Sequence, residues 1–153
     1  GGFTPGPRRR ALVAPGLPPI APLICYEAIF PGEVLPAQGP GDKRPGLMLN
    51  VSNDAWFGRL AGPWQHVAHA RLRAVEEGLP MVRAANSGVS VVIDPYGRIV
   101  ASLPVGVADV IDAGLPRALA PTIFARVGPW PALALGALFL ALALAGRRQR
   151  SVA

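Results

Sequence analysis

The sequence predicts an α/β fold. Three observations carry it: short apolar runs punctuated by Gly and Pro, one longer amphipathic stretch between two of them, and a hairpin signal after the third. Residues 20–26 (IAPLICY) and 47–51 (LMLNV) read as buried strands. Residues 63–77 read as a helix: Pro63 suits a first helical turn, Val67, Ala70, Ala74 and Val75 make an apolar stripe, and Gly78 is a stop signal. Residues 79–84 (LPMVRA) give a third strand. Residues 89–93 and 98–103 form a hairpin around Asp94, Pro95, Tyr96 and Gly97, an order that suits a type I turn. Strand, helix, strand and hairpin is an α/β pattern.

The connecting stretches are less regular. Residues 1–19, rich in Gly, Pro and Arg, read as an extended lead-in. Residues 27–37 can start a helix that Pro31 and Gly32 make irregular. Residues 38–45 (QGPGDKRP) and 52–62 (SNDAWFGRLAG) read as loops, and 108–111 as a last short strand. A sheet of this size leaves edges and faces uncovered, so further chain is expected to complete the core.

Composition narrows the class. The chain has 153 residues, 51% of them hydrophobic, which is too apolar for disorder. The formal net charge is +6, and Lys43 is the only Lys among the basic residues. Nucleic-acid binding is not expected, because no basic helix face carries interleaved aromatics. Cys25 is the only cysteine, which excludes an internal disulfide. His66 and His69 lie three residues apart without a third ligand in view, so no metal site is expected.

Residues 127–146 contain no charge. Twenty residues at helical rise cover about 30 Å, the thickness of a bilayer core. Pro129 and Pro131 fall at the start, Trp130 at an interfacial position, and Arg147, Arg148 and Arg150 follow at once. The stretch is expected to be a transmembrane helix with its basic tail in the cytoplasm and everything before it on the outer side. Arg126 is the one basic residue close by on that outer side. The alternative is a core helix of a water-soluble protein.

Cys25 falls where a buried strand meets a turn, in ICYEAIFPGEV. A thiol at a strand end is held rigidly, and the backbone N–H of Tyr26 can face the same space. Acyl transfer needs both, a thiolate to attack a carbonyl and a donor where the oxyanion develops.

ICYEAIFP, then LNVSNDAWFGRLAGPWQHVAHARLRAVEEGLPMVRAANSG, then IDPYGRIV and a terminal apolar stretch resemble the C-terminal region of the apolipoprotein N-acyltransferase family. The string around Cys25 points to the carbon–nitrogen hydrolase (nitrilase-like) superfamily, and SNDAWFG followed by GPWQH narrows it. The resemblance covers nearly the whole chain. It implies the C-terminal part of a nitrilase-like α-β-β-α sandwich over residues 1–118, a linker at 119–126, a transmembrane helix at 127–146 and a cytoplasmic tail at 147–153. It implies transfer of a fatty acyl chain from a phospholipid, through a cysteine thioester, to the N-terminal amine of a diacylglyceryl-modified lipoprotein. No cofactor is implied. The implied location is the bacterial inner membrane, with the catalytic domain periplasmic.

By position, Cys25 matches the family's nucleophile, and Tyr26 and Glu27 match the two functionally important residues after it. The family's triad also uses a Glu and a Lys upstream of the cysteine, and residues 1–24 contain neither. Lys43 follows Cys25 and is not given that role. The isolated chain is therefore expected to be inactive, as a piece of a longer protein or the product of a truncated gene.

Alternatives stand beside several residues. Glu27 either supports substrate and the missing Lys or favours a helix N-terminus. The Tyr26 ring either shapes the pocket or packs. Asn53, Asp54, Trp56 and Phe57 are candidate substrate-binding residues, the two aromatics either lining an acyl-chain pocket or anchoring the loop. His66 or His69 could in principle pair with Cys25, with helix surface or packing as the default for both. Arg83, Asn86 and Ser87 either hydrogen-bond the loop behind the cysteine or only satisfy local backbone, and the structural role is the one expected. Two other functions compete with acyl transfer: an amide-cleaving hydrolase of the same superfamily, and a non-catalytic anchored remnant.

Overall fold

A computed structural model describes residue 4 and residues 8–150, the last six of them by backbone only. It contains one mixed sheet of five strands in the order of the chain: β1 (Ile20–Ile24), β2 (Leu47–Asn53), β3 (Met81–Asn86), β4 (Ser90–Ile93) and β5 (Ile99–Leu103). β1, β2 and β3 are parallel, and β4 and β5 return antiparallel. The hairpin turn closes with Gly97 N–H donating to Asp94 O at 2.9 Å. The Asp94 carboxylate also accepts from the backbone N–H of Tyr96 and Arg98, at 2.9 Å each.

The expected helix is α1 (Ala61–Glu77), two residues longer at its start than the sequence predicts. Gly78 ends it in the left-handed conformation at φ 65°, as a C-terminal glycine does. Val67, Ala70 and Ala74 are buried against the sheet with Ala21, Leu23, Met48, Met81, Val91 and Ile93. Two alanines on that stripe let the helix approach closely. Val75, the fourth member of the expected stripe, is exposed and lies off the core.

The opposite face of the sheet is open near the ends of the parallel strands. Ile24 is 59% exposed and Val51, its register partner, 42%. This agrees with the expectation of an uncovered face.

Three expectations are corrected. β1 stops at Ile24, and Cys25–Ile29 forms a short 3-10 turn, so residues 27–37 do not start an α-helix. Pro31 and Gly32 prevent its extension. β2 runs on to Asn53, and Ala55–Phe57 is another 3-10 turn, which shortens the loop expected at 52–62. Residues 108–111 form no strand. After β5 the chain runs without regular structure back to the C-terminal end of α1, where Leu119 N–H donates to Gly78 O at 2.9 Å. There Thr122 caps a short helix, α2 (Ile123–Val127), which runs from the stretch expected as linker one residue into the stretch expected to span the membrane. Its hydroxyl accepts from Ala125 N–H at 3.0 Å and donates to Glu76 O.

The stretch expected at 127–146 is helical but starts later. Val127 belongs to α2, Gly128 interrupts at φ 62°, and α3 (Trp130–Arg150) starts beyond it. Among the described residues, no helix is long and apolar enough to cross a membrane. The side chains of α3 from Pro131 to Leu144 are exposed. Of the basic tail expected at 147–153, only the backbone of 147–150 lies within the described residues.

Candidate active site

The carboxyl ends of β1, β2 and β3 lie side by side, where open parallel sheets place their sites. Cys25 follows β1, residues 52–57 end β2 and its turn, and Asn86, Ser87 and Gly88 end β3. Cys25 has φ +51°, in the left-handed region that few side chains enter. Ser87, across the same end of the sheet, has φ +58°. Left-handed backbone at a non-glycine residue persists only where the surroundings hold it, and it clusters at functional sites.

A polar network beneath the cysteine supplies that hold. Asn50 and Arg83 interrupt the apolar runs of β2 and β3, and the register pairs them. Both point into the buried side of the sheet, with Asn50 at 0% exposure and Arg83 at 1%. Arg83 reaches Asn50 Oδ1 with Nη1 and Asp54 Oδ2 with Nη2, the latter at 2.5 Å. Asn50 Nδ2 then donates to the backbone carbonyls of Leu23 (3.2 Å) and Cys25 (2.9 Å). A second arm runs through Asp54. Its Oδ1 accepts from the Ser52 hydroxyl at 2.6 Å, and Ser52 Oγ lies 3.5 Å from Cys25 Sγ.

His66, on α1, completes the network. Its Nδ1 lies 3.1 Å from Asp54 Oδ1 and 3.0 Å from Arg83 Nη2, and the Phe57 ring meets it edge-on at 5.7 Å. Among the described residues, His66 Nε2 and Arg83 Nε have no hydrogen-bond partner.

Burial pushes the Asp54 carboxyl up, but hydrogen bonds from Ser52 and Arg83, and the charges of Arg83 and His66, outweigh it. The carboxyl titrates below its ordinary value of 3.8. Burial and then the Arg83 charge lower His66 below its ordinary 6.5, against the pull of Asp54. Both folded values lie below the unfolded ones, so the unfolded chain binds more protons in each window. The contribution of these two groups to stability is expected to be full above pH 6.5, to decline below it as His66 charges in the unfolded chain, and to decline again below 3.8 as Asp54 protonates there. Thermal melts from pH 8 to pH 3 check this. A melting point that holds level from pH 7 to pH 3 contradicts it.

The other sequence-predicted residues are placed as follows. Tyr26 follows the cysteine directly, with its ring exposed and edge-on to Phe30 at 6.0 Å. The Glu27 carboxylate accepts from Ile24 N–H at 2.7 Å, pinning the turn that carries Cys25. Asn53 Oδ1 accepts from Ala55 N–H at 3.1 Å and from Asn86 Nδ2 at 3.4 Å. Trp56 is 81% exposed, and Phe57 is exposed on one side. Asp54 is fully buried, with both carboxylate oxygens engaged inside the protein. His69 is exposed and takes no part in the network. Asn50 was legible only as a polar interruption in an apolar strand, Ser52 only as the start of a loop, and Arg83 as a strand-end residue.

Gly88 shows how tightly the network is packed. A Cβ there would lie 2.5 Å from Asp54 Oδ2 and 2.7 Å from its Cβ. Gly88→Ala is expected to destabilise the fold by about 1–3 kcal/mol, the usual range for overpacking. Chemical denaturation measures it, and a loss below about 0.5 kcal/mol, the size of a neutral surface change, contradicts the expectation.

Known proteins resemble this chain over most of its length. The model of the carbon–nitrogen hydrolase family matches residues 3–123. A protein named apolipoprotein N-acyltransferase from Rhodopseudomonas palustris is 57% identical over 148 residues, covering 97% of this chain and 27% of the relative. A protein of the same name from Bradyrhizobium diazoefficiens is 56% identical, over 96% of this chain and 27% of the relative. The chain thus spans about a quarter of the length of these relatives, and the resemblance read from its motifs is borne out. Two solved structures share the fold. A carbon–nitrogen hydrolase superfamily protein from Xanthomonas campestris superposes with TM-score 0.50 at 24% identity, over 66% of this chain and 41% of its own. A carbon–nitrogen hydrolase from Helicobacter pylori gives 0.51 at 16%, over 67% and 42%.

Proposed function

This chain belongs to the carbon–nitrogen hydrolase family, and on that premise we propose that it is the nucleophile-bearing part of a lipoprotein N-acyltransferase. The observation that carries the reading is Cys25 itself: a non-glycine residue in left-handed backbone at a strand end, braced by buried Asn50, Asp54 and Arg83. In the first half-reaction, the sulfur attacks the ester carbonyl of a phospholipid. A thioester forms and the lysophospholipid leaves. In the second, the amine of a diacylglyceryl-modified lipoprotein attacks the thioester, an amide forms, and the thiol returns. Tyr26 N–H is the proposed oxyanion donor. Glu27 acts by fixing the turn, and Trp56 and Phe57 offer apolar surface to an acyl chain. Asn53 holds their loop through Ala55 and Asn86, and Asp54 acts from beneath, as a positioning residue.

The exposed apolar face of α3 supports anchorage in the bacterial inner membrane, with the sheet on the periplasmic side. Residues 1–24 supply no Glu or Lys for a triad, so the chain alone is not expected to turn over.

A chimera tests the proposal: this chain replaces the matching stretch of the Rhodopseudomonas palustris relative, and purified protein receives phospholipid and a diacylated lipopeptide. Acylated lipopeptide, with an acyl adduct trapped on Cys25, is the expected result. Hydrolysis of simple amides without acyl transfer would replace this reading with an amidase.

A further inference from the structure

Resting on the reading of Cys25 as nucleophile, we infer that Ser52 is a further catalytic residue, whose hydroxyl contacts the reacting sulfur and is held there by buried Asp54. Ser52 Oγ is 3.5 Å from Cys25 Sγ and 2.6 Å from Asp54 Oδ1. A hydroxyl has one proton and two lone pairs, so it cannot donate to both neighbours at once. With the thiol protonated, the Ser52 hydroxyl donates to the ionised Asp54 and the S–H donates to Ser52 Oγ. With the thiolate formed, the hydroxyl turns its proton to sulfur. Asp54 retains its bond from Arg83, so the carboxylate is not stranded.

Three features make this more than a near contact. Asp54 is fully buried, so the group that aims Ser52 does not wander into solvent. Arg83 joins this arm to the Asn50 arm on the Cys25 carbonyl, so one guanidinium fixes both the sulfur and the backbone of the same residue. Ser52 also lies on β2, a central strand, and not on a movable loop. The charged and titratable groups of this assembly are Asp54, Arg83 and His66, with Glu27 on the turn that carries the cysteine.

Cys25 is the only cysteine of the chain, so iodoacetamide reports on it alone. Alkylation forms the S–C bond, expels iodide and leaves the thiol proton with the buffer. Rates are measured against pH for the 153-residue chain and for Ser52→Ala, Ser52→Thr and Ser52→Val, with melting curves for each. Losing a hydroxyl donor to a thiolate is expected to slow alkylation at neutral pH roughly three- to tenfold and to move the rate curve to higher pH. Ser52→Thr keeps the hydroxyl and restores both.

An unchanged curve in a folded Ser52→Ala chain overturns the inference, and so does a change that threonine fails to restore. If Ser52→Ala melts early, the threonine and valine variants give the same comparison, hydroxyl against methyl at equal size, and equal curves for the two overturn the inference. A separate arm tests the underlying reading. Absence of any acyl adduct on Cys25 in the unmodified chimera defeats the nucleophile assignment, whatever the alkylation rates show.

Discussion

Cys25→Ala in the chimera is expected to abolish lipopeptide acylation, on the order of 10³-fold or more, because Cys25 is the only thiol this chain brings to the site. Mass spectrometry for the adduct and lipopeptide turnover are the two readouts. Alanine is the informative replacement. It meets the same steric resistance at φ +51° as cysteine does, so the backbone is no more relaxed and the loss isolates the sulfur. Cys25→Gly removes the Cβ as well. It is expected to be more stable than Cys25→Ala by about 1 kcal/mol, since left-handed backbone is free for glycine. Equal turnover in Cys25→Ala and unmodified chimera would leave the site without its nucleophile and end the acyltransfer reading.

The second large effect is on stability. Arg83 and Asp54 form an ion pair with neither side chain exposed. Removing one member strands the other charge away from water, and such losses run to about 3–5 kcal/mol. Arg83→Met and Asp54→Leu are each expected to destabilise the chain by that amount in urea titrations. The double variant, with both charges gone, is expected to recover much of the loss, since two apolar groups can replace a buried pair at little net change. Additive losses would mean that the two residues act separately and that the network beneath Cys25 is not a unit. Arg83→Lys separates charge from shape: lysine keeps the cation and loses the fork that bridges Asn50 and Asp54.

These residues also mark where sequence reading stops. The strands and α1 were legible because each follows from a local rule: an apolar run, a helical stripe, a Gly or Pro at the boundary. Cys25 was placed at its strand end for the same reason, with the surrounding motif adding its chemistry. Arg83 looked like a strand-end residue and His66 like a helix residue, because their roles depend on partners 29 and 12 positions away at Asp54. Only the register that sets Asn50 beside Arg83 brings them together. The left-handed backbone at Cys25 was illegible for a different reason. Local preference argues against it, and tertiary contacts impose it. The irregular helix expected after Cys25 failed at the same place: Pro31 was weighed as a kink, whereas the chain stops after one 3-10 turn.

The tie between Thr122 and Glu76 has a mechanical corollary. With α2 fastened to the end of α1, only Gly128 and Pro129 remain before α3 begins. Two residues reach no more than about 7 Å, and proline fixes one of the angles between them. The start of α3 is therefore kept within a short reach of the end of α1, whatever direction α3 takes beyond the Gly128 pivot. Wherever α3 is held, the sheet that carries Cys25 cannot drift far from its first turn.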